Sequence, residues 1–351
     1  MADRRVAERR IAEEVDCVVI GGGPAGLSAS NQVARLGRSC LLVDDDRGRS
    51  LWSQTTRNYL GFPDGIKAAD LRLLGQRQAT NHGVILRAGH VAGLRRRRSG
   101  AGFDVIVDPP DDVADSATAE PGLEANQARE QRAARRLDER QTERSTVVRG
   151  RTVILATGVA DRYPAFAGRD ACVGISLFWC PVCDGYEARG RRVAVVGDDD
   201  DAVSTAFFLA RLSDRVTLVT NRRRSRLART RQATLETHGV PVIRAKVEAY
   251  EHDAGQIRTL HLHDGAQPVE VDMVFVSSPR APRSRLARRL GARHDELGYL
   301  TVDSGMRTTV AGLYAAGDVL AGHPHQVGEG AATGAVAATA VNYDLTEPSA
   351  R

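Results

Sequence analysis

Two stretches of the chain follow one plan. In "DCVVIGGGPAGLSASNQVARLG" and the "RSCLLVDDD" after it (16–46), an apolar run meets a glycine cluster. A helically spaced segment follows, then a second apolar run ending in acid. "RRVAVVGDDDDAVSTAFFLARLSDRVTLVT" (191–220) repeats the order. Continuous apolar runs of this length predict strands buried on both faces, as in parallel sheets covered by helices. "RTVILATG" (151–158) and "GLYAAGDV" (312–319) predict two further buried strands, each ending in a tight turn. The pattern predicts an α/β fold of two doubly wound, Rossmann-like nucleotide-binding domains. It lapses from about residue 109 to 143, where "PPDDVADSATAEPGLEANQAREQRAARRLDERQTE" is almost free of large apolar residues. That stretch is expected to be a surface insertion between "GFDVIVD" and "TVVRGRTVILATG".

With 351 residues, the chain is long enough for two cores. It has no apolar run near the roughly 18–20 residues that cross a bilayer. "MADRRVAERRIAEE" has no apolar stretch behind its charges, so a cytoplasmic protein is expected. The net charge of +5 suggests nucleic acid, but its pattern does not. Lys67 and Lys246 are the only lysines, and arginine is spread along the whole chain without interleaved aromatics. Five cysteines argue against a secreted disulfide framework. Cys17 and Cys40 fall inside apolar runs and are expected to be buried, inert thiols.

Three motifs carry chemistry. Gly21, Gly23 and Gly26 give G-x-G-x-x-G between a strand and a helix. The first permits the turn, the second the approach of a pyrophosphate, and the third close helix–strand packing. Asp44, at the next strand end, suits the ribose hydroxyls of an adenosine, with Asp45 as the alternative register. Near the C-terminus, Asp318 follows Gly317 at a strand end and suits a sugar-alcohol chain such as a flavin's ribityl group. The small-residue segment 325–341 after it predicts a helix able to pack against a flat cofactor. "FWCPVCDGYE" (178–187) places Cys180 and Cys183 in a C-x-x-C with Asp184 beside it. Without a second such pair or a spaced histidine pair, zinc is disfavoured. A redox pair with a nearby proton-moving acid fits the residues.

"IGGGPAGLSA", "ATG", "CPVCDGYE", "RVAVVG" and "LYAAGDV", in that order, resemble the thioredoxin reductase family of small flavoproteins. The resemblance implies an FAD-binding domain of two segments, 15–163 and 295–351, after an extension of residues 1–14. A nucleotide-binding-like domain, 164–294, is inserted between them and carries the cysteine pair. The resemblance also implies a homodimer. Gly21, Gly23, Pro24 and Gly26 would hold the FAD pyrophosphate and Asp44 the adenosine ribose. Val91 matches an adenine contact, Asn58 a residue near the flavin, Gly317 and Asp318 the ribityl turn, and Gln326 and Val327 neighbours of the isoalloxazine. Cys183 would face the flavin, Cys180 attack the substrate disulfide, and Asp184 donate the proton.

The chain departs from the family at its second glycine turn, which reads Gly197-Asp198-Asp199-Asp200-Asp201-Ala202. Asp199 replaces the glycine that would admit pyrophosphate. A carboxylate about 4 Å from a phosphate charge is repelled by roughly 4 kcal/mol at an effective dielectric near 20. The same aspartates suit a helix N-terminus by capping its free N–H groups. Arg222 and Arg223 remain where the family's NADPH users hold the 2′-phosphate. The expectation is an FAD-dependent dithiol–disulfide oxidoreductase with a degenerate NADPH site. Its route is either ferredoxin-linked reduction of a thioredoxin-like protein or oxidation of a small-molecule dithiol. The alternatives are an ordinary NADPH-dependent thioredoxin reductase and a non-catalytic flavin-binding redox sensor. No metal, nucleic-acid or membrane partner is expected. His323 and His325, just before Gln326, are read as either structural or proton-handling.

Overall fold

The computed structural model describes residues 11–52, 54–98, 101–110, 145–161, 164–222, 224, 226–277 and 280–346. Residues 1–10 of the expected extension, Arg223, and all of the expected insertion beyond Pro110 lie outside the described residues. Contacts divide the chain into two units. One is built from residues up to Leu51, Ala68–Ala160 and residues from Arg280 onward; the other from Trp52–Lys67 and Asp161–Pro279.

The first unit begins with β1 (Ile11–Ile20), α1 (Pro24–Arg35), β2 (Cys40–Asp44), α2 (Ala68–Asn81) and β3 (Ile85–Ala88). It continues through β4 (His90–Arg96), β5 (Phe103–Asp108) and β6 (Thr146–Leu155). Parallel strands run β3-β2-β1-β6, with Cys17 beside Cys40 and Thr152, and Ile20 beside Val43 and Leu155. The ten-residue β6 is shared along its length: its first half pairs antiparallel with β5 and its last three residues pair in parallel with Leu313–Ala315. β1 starts inside the stretch read as an extension. Its acids there are matched, Glu13 by Arg87 at 2.6 Å and Glu14 by Arg97 at 2.8 Å.

In the second unit, β7 (Leu177–Phe178), β8 (Val193–Val196), α3 (Asp200–Ala210), β9 (Val216–Val219), β10 (Val242–Ile243) and β11 (Met273–Val276) form a parallel sheet in the order β7-β11-β8-β9-β10. All four residues of β8 are buried, which is why the run reads as unbroken apolar. A three-stranded antiparallel sheet, Val247–Asp253, Gln256–Leu262 and Val269–Glu270, completes the unit. Back in the first unit, β12 (Leu313–Ala315) leads through the turn Gly317–Val319 to α4 (Val327–Thr346).

Candidate active site

The first unit's glycine turn leaves the C-terminal end of β1. Gly21 has φ +105°, and a Cβ on it would stand 2.4 Å from the Ala156 carbonyl oxygen. A Cβ on Gly26 would stand 1.8 Å from the Gly21 carbonyl oxygen. Both positions exclude any side chain. Gly23 is different, because nothing lies within 4 Å of where its Cβ would be. It is also the N-cap of α1, contributes no capping side chain, and is followed by Pro24 at the first helical position. Open space in front of uncapped helix N–H groups is what an anionic pyrophosphate requires. These residues fit FAD.

At the neighbouring strand end, Asp44 accepts a hydrogen bond from the Gly22 N–H at 3.0 Å and pairs with Arg72 of α2, which also holds Asp46. Asp45, the alternative register, turns to His90 at 3.2 Å. Burial works to raise its carboxyl, but the His90 hydrogen bond and charge, with Arg283 and Arg47, hold it below the usual range. Val91 is buried in β4, just beyond Gly89, whose N–H donates to the Asp44 carbonyl.

At the far end of the same sheet, Gly317 has φ +75° and donates its N–H to Thr333 Oγ1 at 3.0 Å. Asp318 accepts from Arg49 at 3.0 Å. Gln326 caps α4 through its carbonyl, which accepts from the Gly330 N–H, and Val327 opens the helix. The small residues of α4 have a packing role within the chain. They bring α4 against α1, where a Cβ on Gly334 would lie 2.2 Å from the Ala25 carbonyl oxygen and Ser28 donates to the Ala331 carbonyl. His323 pairs with Glu329 at 2.5 Å. His325 stacks near Tyr299 and takes a contact from Arg280 at 3.3 Å.

Asn58 falls in the 52–67 segment that groups with the second unit, and is exposed. The expected redox pair is also in that unit. Cys180 and Cys183 form a disulfide across the single helical turn Pro181–Asp184. The turn follows the edge strand β7, whose Phe178 stacks on Phe275 of β11 and fixes its departure. Cys180 is the N-cap and its sulfur accepts from the Cys183 N–H at 3.1 Å. Cys180 is buried, while Cys183 and Asp184 are half-buried. The other cysteines are buried thiols, and burial pushes Cys17 up to about 12.

At the second glycine turn, Asp199 is the N-cap of α3 and accepts from the Ala202 N–H at 2.8 Å. It also accepts from the Ser277 hydroxyl at 2.8 Å. Asp198 accepts from Arg222 Nε at 2.9 Å and from the Arg226 N–H at 3.0 Å. Arg231 reaches Asp200 at 3.3 Å on the surface. Side chains of the chain itself thus meet one of the first N–H groups of the helix, that of Ala202, and one arginine of the expected phosphate pair.

Arg49, Arg72, Arg280 and His90 were not foreseen as site residues. In so arginine-rich a chain, an individual arginine carries no signal, and the usable cue was proximity in sequence, since Arg49 lies five residues past Asp44.

The family model for pyridine nucleotide-disulphide oxidoreductases matches residues 15–338. The thioredoxin reductase of Listeria monocytogenes is 27% identical over 320 residues, covering 89% of this chain and 88% of that one. That of Streptomyces coelicolor is 28% identical over 337 residues, covering 92% and 91%. Among solved structures, HlmI superposes with a TM-score of 0.78 at 26% identity, covering 95% of this chain and 92% of its own. No described helix is long and apolar enough to cross a membrane.

Proposed function

The chain belongs to the pyridine nucleotide-disulphide oxidoreductase family, as a flavin-dependent disulfide oxidoreductase of the thioredoxin reductase type, and from that premise we propose that it works without ordinary use of NADPH. The observation that carries this reading is the engagement of Asp198 and Asp199. A nucleotide pyrophosphate would have to displace the Asp199 cap from the Ala202 N–H, separate Asp198 from Arg222, and then sit beside both carboxylates.

The first unit is the proposed seat of FAD. Gly21, Gly23, Pro24 and Gly26 hold its pyrophosphate, Asp44 and Val91 its adenosine half, and Gly317, Asp318, Gln326 and Val327 its flavin half. Asn58 is assigned to the flavin on the family resemblance alone. Bound FAD supplies the two-electron acceptor or donor. The protein's own chemistry is thiol–disulfide exchange. In the oxidising direction, a substrate thiolate attacks the Cys180 sulfur and releases the Cys183 thiolate. The second substrate thiolate then attacks the sulfur of its partner, closing the substrate disulfide and freeing the Cys180 thiolate. Asp184 carries the protons. The reducing direction reverses these steps, with the Cys180 thiolate attacking a disulfide.

The substrate is a thioredoxin-like protein, with electrons from a ferredoxin, or a small-molecule dithiol, and the working form is a homodimer. The relatives' name, thioredoxin reductase, favours thioredoxin reduction, and the second reading pairs that activity with NADPH as electron donor. Anaerobic mixing with excess NADPH separates the two. A flavin that stays oxidised with NADPH but bleaches with dithiothreitol supports the first reading. Rapid bleaching by NADPH overturns it.

A further inference from the structure

The flavin end of the first unit can be located from its topology. In a doubly wound sheet a dinucleotide crosses the C-terminal edge at the switch in strand order, with its adenosine ribose at the strand following the glycine turn. Here that strand is β2, ending in Asp44, so the other half of a bound FAD would lie toward β6, β12 and the Gly317–Val319 turn. Asp318 sits on that turn. A bare carboxylate there would oppose reduction, because a flavin that takes up two electrons and one proton gains a negative charge.

We propose that Arg49 sets the flavin's reduction potential by neutralising Asp318. The ion pair is close, at 3.0 Å, and its side chains are only 12% and 22% exposed, so solvent screens it weakly. The loop Arg47–Leu51, which carries Arg49, is held on this edge from a second side, where Arg283 donates to the Arg47 carbonyl at 3.4 Å. His325 shows that these charges act on a common point. Burial pulls its imidazole down to about 4; Asp318 works against that shift, and Arg49 and Arg280 work with it. Protein charge near the ring is one of the means by which a fold tunes a bound flavin. With Asp318 matched, a bound flavin would take up electrons without a penalty from the sugar-binding carboxylate. The inference rests on FAD occupying the first unit and is independent of whether NADPH is used.

The test is a charge cycle read as flavin midpoint potential, by equilibration with a reference dye in the holoprotein. Arg49→Gln should lower the potential by about 30 mV, a tenfold change in the two-electron equilibrium. Asp318→Asn should raise it, the double variant should return close to the parent, and Arg49→Lys should stay near the parent. A merely structural role would not give opposite shifts that cancel. Equal or same-direction shifts in the two single variants, with flavin retained, overturn the proposal. So does loss of flavin from Arg49→Gln and Arg49→Lys alike, which would make Arg49 a cofactor-holding residue. The dye titration needs neither NADPH nor a dithiol. Bleaching of the parent by NADPH would therefore defeat the functional reading and leave this cycle intact.

Discussion

Asp199 serves two donors with one oxygen, the Ala202 N–H and the Ser277 hydroxyl, and so ties the start of α3 to the segment after β11. Replacing both Asp198 and Asp199 by glycine should have two opposite effects. NADPH should reduce the flavin at least about tenfold faster, since each 1.4 kcal/mol of relieved repulsion is tenfold. Stability should fall by about 1 kcal/mol, because glycine caps less well and frees the unfolded chain. Stopped-flow absorbance and urea denaturation measure the two. His325 provides a pH test. Burial is the main cause that lowers its imidazole to about 4, so the folded chain binds this proton less readily than the unfolded chain. Its contribution to stability is therefore complete above about 6.5 and is lost as pH falls toward 4. His325→Gln should flatten the melting temperature across that window relative to the parent.

Among the elements, the α1–α4 contact is the most exacting. Gly334 has no room for a Cβ beside the Ala25 carbonyl, so Gly334→Ala should destabilise by about 1–3 kcal/mol through overpacking, seen as a lower urea midpoint. The small residues of this helix were legible in the sequence, but their partner was not. Short side chains say that something approaches closely, without saying whether it is a ring or another helix. The strands were legible wherever both faces are buried, as in Val193–Val196. The first half of β1 was hidden, because Glu13 and Glu14 break the apolar run and their arginine partners come from distant segments. The glycine turns were legible because steric exclusion leaves only one residue type at Gly21 and Gly26. Arg49 and Arg72 were not, since their importance comes from folding beside Asp318 and Asp44.

At the scale of the whole molecule, the cysteine pair and the first glycine turn belong to different units of the chain, so the proposed electron flow needs both. Cys180→Ser should break that flow while leaving the first unit's glycine turn untouched. We expect dithionite still to bleach the flavin, and bleaching by dithiothreitol to slow at least a hundredfold (about 2.7 kcal/mol). Retained thiol-driven bleaching would mean that the exchange does not pass through this pair.

The contact between Ser28 and Ala331 spans 303 residues of chain. On a ribosome making about 5–20 residues per second, α1 emerges roughly fifteen seconds to a minute before α4. During that interval β6 also lacks β12, its partner on one side. The first unit is thus begun first and finished last, with the whole second unit synthesised in between. An N-terminal fragment ending before Leu313 would carry the glycine turn and the cysteine pair, yet leave the helix behind that turn uncovered. Such nascent or truncated chains are the ones on which a chaperone should be found waiting.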